Sequence, residues 1–301
     1  GNPSSTHSFG RDARMLLEDA RDRLARAINC DRNEVIFTSG GTESANLAIK
    51  GLYWQRNTDA TRPLIISALT EHHGVVDPIE WLEAQEGATA VWLKVSEEGV
   101  IDLDALAALL AERSGEVALI SLMWANNETG VITDIAKVCE LASQYSVPVH
   151  SDAVAALGHI PIDFASSGLA AMSITGHKVG SPIGAGALIL ARGANVVSLI
   201  HGGGQERGLR SGTMNYSGSL AFAHAVELAV AEQPRFVEHT RELTAKLRQA
   251  VEAIDGARFS IGSAEGMTHN AHFTFEGLKS DSMLFLLDEL GFAVSAGSAC
   301  Q

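Results

Sequence analysis

Cysteine is scarce in this 301-residue chain: Cys30, Cys139 and Cys300 are its only three, and they lie far apart. So few, so scattered, exclude a disulfide framework, and a reducing, cytoplasmic setting is expected. No second cysteine or histidine stands at ligand spacing from Cys300, so no metal site is expected. Basic charge is short too, with 22 Lys and Arg against 36 Asp and Glu and a net charge of −14. A nucleic-acid face needs clustered cations, and the basic patch that stands out is only Arg207 and Arg210 in a glycine-rich loop, so no direct nucleic-acid partner is expected. No apolar run approaches the roughly 18 residues of a membrane span, which argues against a membrane partner. The polar opening GNPSSTHSFG has no signal-peptide core. It also lacks an initiator methionine, and Cys300 is the penultimate residue, so trimming at both ends is expected.

What is present is an alternation of strands and helices. The spacing predicts an amphipathic helix over Arg11–Ile28, a strand over Glu34–Thr38 and a helix over Ser44–Trp54 capped by a hydroxyl. Strands follow at Pro63–Leu69, Ala90–Val95, Val117–Met123 and Val147–His150, with helices over Val76–Gln85, through Ala111 from an Asp102 or Asp104 cap, and over Ile132–Tyr145. Apolar runs at 169–174 and 186–191 flank a glycine-rich turn. This order gives βαβ units and a mainly parallel sheet covered by helices. Ser219–Ile254 reads as helical with a break or kink at Pro234, where a large domain (1–234) meets a smaller α+β C-terminal one (235–301). The latter should hold a strand at Ala271–Phe275, a capped helix at Ser280–Leu290 and a strand at Phe292–Ser295. The loop 201–213 is too glycine-rich to hold itself rigid. No repeats or low-complexity tracts occur.

In such sheets ligands collect beyond the carboxyl ends of the strands. The polar residues there are Thr42, His72, Asn127, Asp152 and Lys178, and they should converge. Lys178 follows an apolar run beside Thr175 and His177, in SITGHKVGSPIGAGAL. Standing alone, this stretch also fits a surface turn. If buried, desolvation disfavours the ammonium form and makes the amine a Schiff-base nucleophile. Asp152 fits either a helix cap or a partner for a heterocyclic N–H⁺. His72 fits a satisfied core histidine or a ring that stacks on a ligand, and Asn126 and Asn127 also suit a turn. The glycine turn Gly40-Gly41-Thr42 either connects two elements or offers bare N–H groups to an anion. As a set they supply what pyridoxal 5'-phosphate requires. Cys30 and Cys139 read as packing residues on helices, whereas Cys300 sits in a loop of small residues, mobile and exposed, suited to reaction.

With those residues assembled, the chain resembles the group-I cysteine desulfurases, class-V, fold-type-I pyridoxal-phosphate enzymes of the bacterial iron–sulfur cluster type. The matching stretches are GNPSSTHSFGR, EVIFTSGGTESANLAIKG, TEHHGVVD, MWANNETGV, VPVHSDAV, SITGHKVGSPIGAGAL, HGGGQERGLRSGT and VSAGSAC, covering nearly the whole chain in order. The resemblance implies that Lys178 holds the cofactor and later moves the Cα proton, that Asp152 holds the pyridinium proton, and that His72 stacks on the ring and serves as acid–base. It assigns phosphate to Gly41, Thr42, Thr175 and His177, and the ring oxygen or substrate to Asn127. Thr213 would reach the phosphate of the partner subunit's cofactor, implying a homodimer with shared sites. Cys300 would attack the sulfur of L-cysteine, leaving L-alanine and a persulfide for a sulfur-acceptor or scaffold protein, with a transient iron–sulfur contact at most.

Two departures stand out. Ala155 occupies the place of a glutamine that donates to the ring oxygen, which implies a shifted Schiff-base pKa. The family's first strand and its final segment, with the arginine for the substrate carboxylate, are absent. The resemblance leaves two alternatives: another class-V enzyme, such as an aminotransferase or selenocysteine lyase, and an inactive sulfur-transfer scaffold.

Overall fold

Seven apolar runs form the central sheet in the computed structural model, which describes residues 1–297. They are β1 (Val35–Thr38), β2 (Leu64–Ala68), β3 (Thr89–Leu93), β4 (Val117–Ser121), β5 (Val149–Asp152), β6 (Ala171–Thr175) and β7 (Gly186–Leu190). The order across the sheet is β1-β7-β6-β5-β4-β2-β3. The β3-β2-β4-β5-β6 half is parallel, and β7 runs antiparallel to both β6 and β1. Every residue of β1, β2, β4, β5, β6 and β7 is buried, as continuous apolar runs require when helices cover both faces. The edge strand β3 is buried only at Leu93.

The helices are α1 (Ser8–Ala27), α2 (Gly41–Arg56), α3 (His73–Glu86), α4 (Leu103–Arg113), α5 (Ile135–Ser143), α6 (Phe164–Ser167), α7 (Tyr216–Val251) and α8 (Ser280–Glu289). Strand alternation splits the core in two. Val35 and Phe37 share one cluster with Leu24 of α1, Val138 of α5 and Phe222 of α7. Ile36 and Ile65 face the other, with Ile49 of α2 and Ile79 of α3. The result is three layers, helix on sheet on helix.

Several boundaries differ from the sequence reading for identifiable reasons. The N-cap of α2 is Gly40, with no capping side chain, so the expected hydroxyl cap is absent. His72 caps α3 by accepting from Gly74 N, and Asp102 caps α4. The α5 helix starts at Ile135 behind the Asp134 cap, because Ile132 is spent in a bridge to Ala125. Cys30 lies past the end of α1 rather than on it. The α7 helix runs 36 residues with Pro234 inside it, so no break falls there. A proline removes one backbone hydrogen bond, which the turns on either side of it here outlast. The capping side chain expected for α8 is also missing, since Lys279 at its N-cap makes no such bond.

Beyond α7, β8 (Ala257–Phe259) pairs antiparallel with β9 (Phe273–Phe275) around a small cluster of Val131, Phe259 and Ile261. Residues 292–295 form no strand, because they find no ladder partner among the described residues. This region docks on the sheet's loops through Met267 N to Gly130 O (2.8 Å), Ile132 N to Glu265 O (2.9 Å) and Asn270 Nδ2 to Glu128 O (3.1 Å). Among the described residues no helix is long and apolar enough to cross a membrane.

Candidate active site

The carboxyl ends of β2, β4, β5 and β6 open on one cavity of about 370 Å³. Gly41, Thr42, His72, Asn127, Asp152, Thr175, His177 and Lys178 all line it, so the expected convergence is what the sheet builds. Ala155, Ser295 and Gly297 line it as well.

One end of the cavity is made for an anion. Gly40 leaves the first N–H groups of α2 without a side-chain partner, and the helix dipole adds to their pull. Close approach requires the glycine: a Cβ on Gly41 would meet Val154 Cγ2 at 2.7 Å. Buried Thr175 places its Oγ1 3.1 Å from His177 Nδ1. Partial burial of the ring, then the charge of Lys178, lower the pKa of His177, which is otherwise exposed. Glu43 at the same helix end does not compete for the anion site. Burial acts against its ionisation, but Arg210 (Nε to Oε1, 2.7 Å) and Ser39 outweigh that and lower its pKa.

At the other end Asp152 closes β5, 8 % exposed, with Oδ1 accepting from Val154 N at 2.9 Å. No helix follows for it to cap; residues 154–159 are a turn. Burial raises its pKa, while the Val154 N–H, His72 and Lys178 pull the other way. A carboxylate so placed gains most from a cationic N–H arriving in the cavity. His72 is half-buried, with Nδ1 fixed by Gly74 N at 2.9 Å.

The two asparagines divide their work. Asn126 holds its own loop, Oδ1 accepting from Glu128 N (3.0 Å), Thr129 N (2.8 Å) and Thr129 Oγ1 (3.1 Å), and Nδ2 donating to Thr70 O (2.9 Å). That leaves Asn127 to face the cavity.

Lys178 departs from the expectation of a dry amine. It is exposed, because the turn after β6 carries it past the buried strand into the open side of the cavity. Thr213 is not brought to this cavity. It is exposed and lines a separate one of about 170 Å³ with Arg210, Gly184 and Asn215. The loop that bears it is pinned despite its glycines: Glu206 takes Arg21 in a buried two-pronged pair (2.6 and 2.9 Å) and accepts from Phe37 N. Cys300 lies outside the described residues, although Ser295 and Gly297 shortly before it line the main cavity. Burial pushes the thiols of Cys30 and Cys139 up to about 12, as packing residues require. No group of three or more His, Cys, Asp or Glu among the described residues is arranged to hold a metal.

Two buried titratable residues near the site escape the sequence reading, Glu71 and His150, each at or near the end of an apolar strand and neither lining the cavity.

Comparison with known proteins agrees with this architecture. The class-V aminotransferase family model matches residues 1–301. An "IscS-like cysteine desulfurase" of Mycobacterium tuberculosis is 45 % identical over the whole chain and 77 % of its own length. A "Cysteine desulfurase IscS" of Dictyoglomus turgidum is 39 % identical over the whole chain and 75 % of its length. A solved "NifS-like protein" superposes with a TM-score of 0.91 at 32 % identity, over 98 % of this chain and 80 % of that one. The chain therefore belongs to the class-V aminotransferase family and, within it, to the IscS/NifS-like cysteine desulfurases.

Proposed function

We propose that this chain binds pyridoxal 5'-phosphate in the 370 Å³ cavity and converts L-cysteine to L-alanine, leaving the sulfur as a persulfide on Cys300. The observation that carries the reading is the convergence of an anion cradle, a buried carboxylate and a lysine on one cavity. The residues fit the group: the N-terminus of α2 with Thr175 and His177 suits the phosphate, Asp152 the ring nitrogen, His72 the ring face and Asn127 the ring oxygen. When bound, the cofactor supplies an electron sink for the bonds at the substrate Cα.

The protein's residues do the rest. The Lys178 amine anchors the aldehyde and then moves a proton at the substrate Cα, a role its exposed position on the cavity wall permits. Asp152 keeps the ring nitrogen protonated. Cys300, as thiolate, attacks the substrate sulfur, forming the S–S bond as the C–S bond breaks. On this reading the thiol must reach the substrate and then present its persulfide to an acceptor protein. A homodimer with Thr213 serving the partner's site, a smaller C-terminal domain and a cytoplasmic location complete the proposal.

Loading the full-length protein with pyridoxal phosphate, reducing with borohydride and mapping the adduct by mass spectrometry should place it on Lys178. With L-cysteine and a thiol reductant, alanine and sulfide should appear in equal amounts. Cys300→Ser should abolish sulfide while the visible cofactor band remains. An adduct elsewhere, or sulfide from the serine variant at the wild-type rate, would refute the assignment.

A further inference from the structure

Glu71 stands one residue before His72, 8 % exposed. Its Oε1 accepts from Met123 N at 2.6 Å, and its Oε2 is shielded from solvent with no hydrogen-bond partner among the described residues. Met123 and His72 both line the cavity. Asn126 Nδ2 to Thr70 O runs alongside, so two bonds lace the segment after β2 to the segment after β4.

The charge acting on Glu71 is that of Asp152, which repels it. Asp152, in contrast, feels His72 and Lys178 and accepts from Val154 N. Burial disfavours ionisation of both carboxyls; at Glu71 the Met123 N–H pulls the other way and the charge of Asp152 adds to the burial, and the balance holds Glu71 well above the usual carboxylate range. Of the two carboxyls, Asp152 is the one whose ionised form the Lys178 side chain favours.

We propose that Glu71 is a positioning residue: a carboxyl group kept neutral, which clamps the Met123 segment to the His72 segment and leaves Asp152 as the single anion of the site. The clamp stands on the Met123 N–H and Asn126 bonds; the consequence for Asp152 rests on the cofactor reading above. A charged Glu71 would repel Asp152, and an apolar residue would leave Met123 N without its acceptor.

Infrared difference spectroscopy of the cofactor-free, full-length protein at neutral pH, wild type minus Glu71→Gln, decides neutrality. A protonated-carboxyl stretch present in wild type and missing in the variant is expected; a carboxylate signature in its place overturns the proposal. Pyridoxal phosphate then tests the clamp. E71Q, which keeps an oxygen for Met123 N, should bind it within about twofold of wild type, whereas E71L should bind about tenfold more weakly. The pH titration of the visible band in E71Q should match wild type. A shift of about one pH unit, or binding as weak as in E71L, overturns the proposal. A wild-type protein that takes up no pyridoxal phosphate would sink the cofactor reading instead, with the infrared result still deciding this one.

Discussion

His150 lies wholly buried on β5, with Nδ1 2.9 Å from Ser121 Oγ and Nε2 2.8 Å from Ser173 Oγ. Burial pushes its pKa from 6.5 down to about 3. The unfolded chain therefore takes up a proton as pH falls through about 6.5, while the folded chain resists until about 3. Stability from this group is complete above the upper value and is lost at about 1.4 kcal/mol per pH unit within the window. His150→Gln should cost about 1–3 kcal/mol at pH 7 through the weakened hydrogen bonds. It should also lose less on acidification, by about 2 kcal/mol at pH 5, as urea unfolding at the two pH values would show. An equal acid loss in both proteins would clear His150 of this role. The same residue shows what sequence could and could not disclose. Lys178, Asp152, His72 and Asn127 were legible because each follows an apolar run, and parallel strands bring such ends to one edge. His150 and Glu71 were not, because their partners Ser121, Ser173 and Met123 lie 29, 23 and 52 residues away and only strand register brings them near. The exposure of Lys178 was also hidden, since flanking apolar residues report on the strand and not on the turn beyond it.

Among the elements, the seating of α2 against the sheet depends on β7. A Cβ on Gly186 would stand 2.7 Å from Gly40 Cα, 2.8 Å from Gly40 C and 2.8 Å from Ile174 O, all backbone. Nothing there can swing aside. Gly186→Ala should cost about 3 kcal/mol and shift the anion cradle, weakening pyridoxal phosphate binding. Gly115→Ala, with nothing within 4 Å of the added carbon, should stay within about 0.5 kcal/mol of wild type. Thermal unfolding and a cofactor titration compare the pair, and an undisturbed cradle in Gly186→Ala would show that β7 does not set the helix position. The parallel half of the sheet was legible from unbroken apolar runs such as Val117–Ser121, which only a strand covered on both faces explains. The antiparallel direction of β7 was not, because a glycine turn of this length fits either sense. The strand expected at Phe292–Ser295 failed for the opposite reason: alternation fits a strand, but only a partner makes one. No break falls at Pro234 because proline costs one backbone hydrogen bond, and in a 36-residue helix that is a small fraction of the whole.

For the whole molecule, the decisive arrangement is that Lys178 and Thr213 face different cavities of one chain. Thr213 is held there firmly, on a loop fixed to α1 and β1 by Glu206 and to α2 by Arg210. It cannot swing to its own Lys178 without breaking the buried Arg21–Glu206 pair, a loss of several kcal/mol, roughly 3–5. If both residues serve one active site, they must come from two copies related by a closed symmetry. Sedimentation of the full-length protein should then give a dimer. Lys178→Ala and Thr213→Val homodimers should each be strongly impaired. In their mixed dimer, one site combines both substitutions and the other regains an intact Lys178 with an intact Thr213 from across the interface. After unfolding and refolding an equal mixture, about a quarter of wild-type activity should return, since half the dimers are mixed and each carries one intact site. A mixture no more active than its parents would confine each site to a single chain and leave Thr213 with a purely local role beside Arg210.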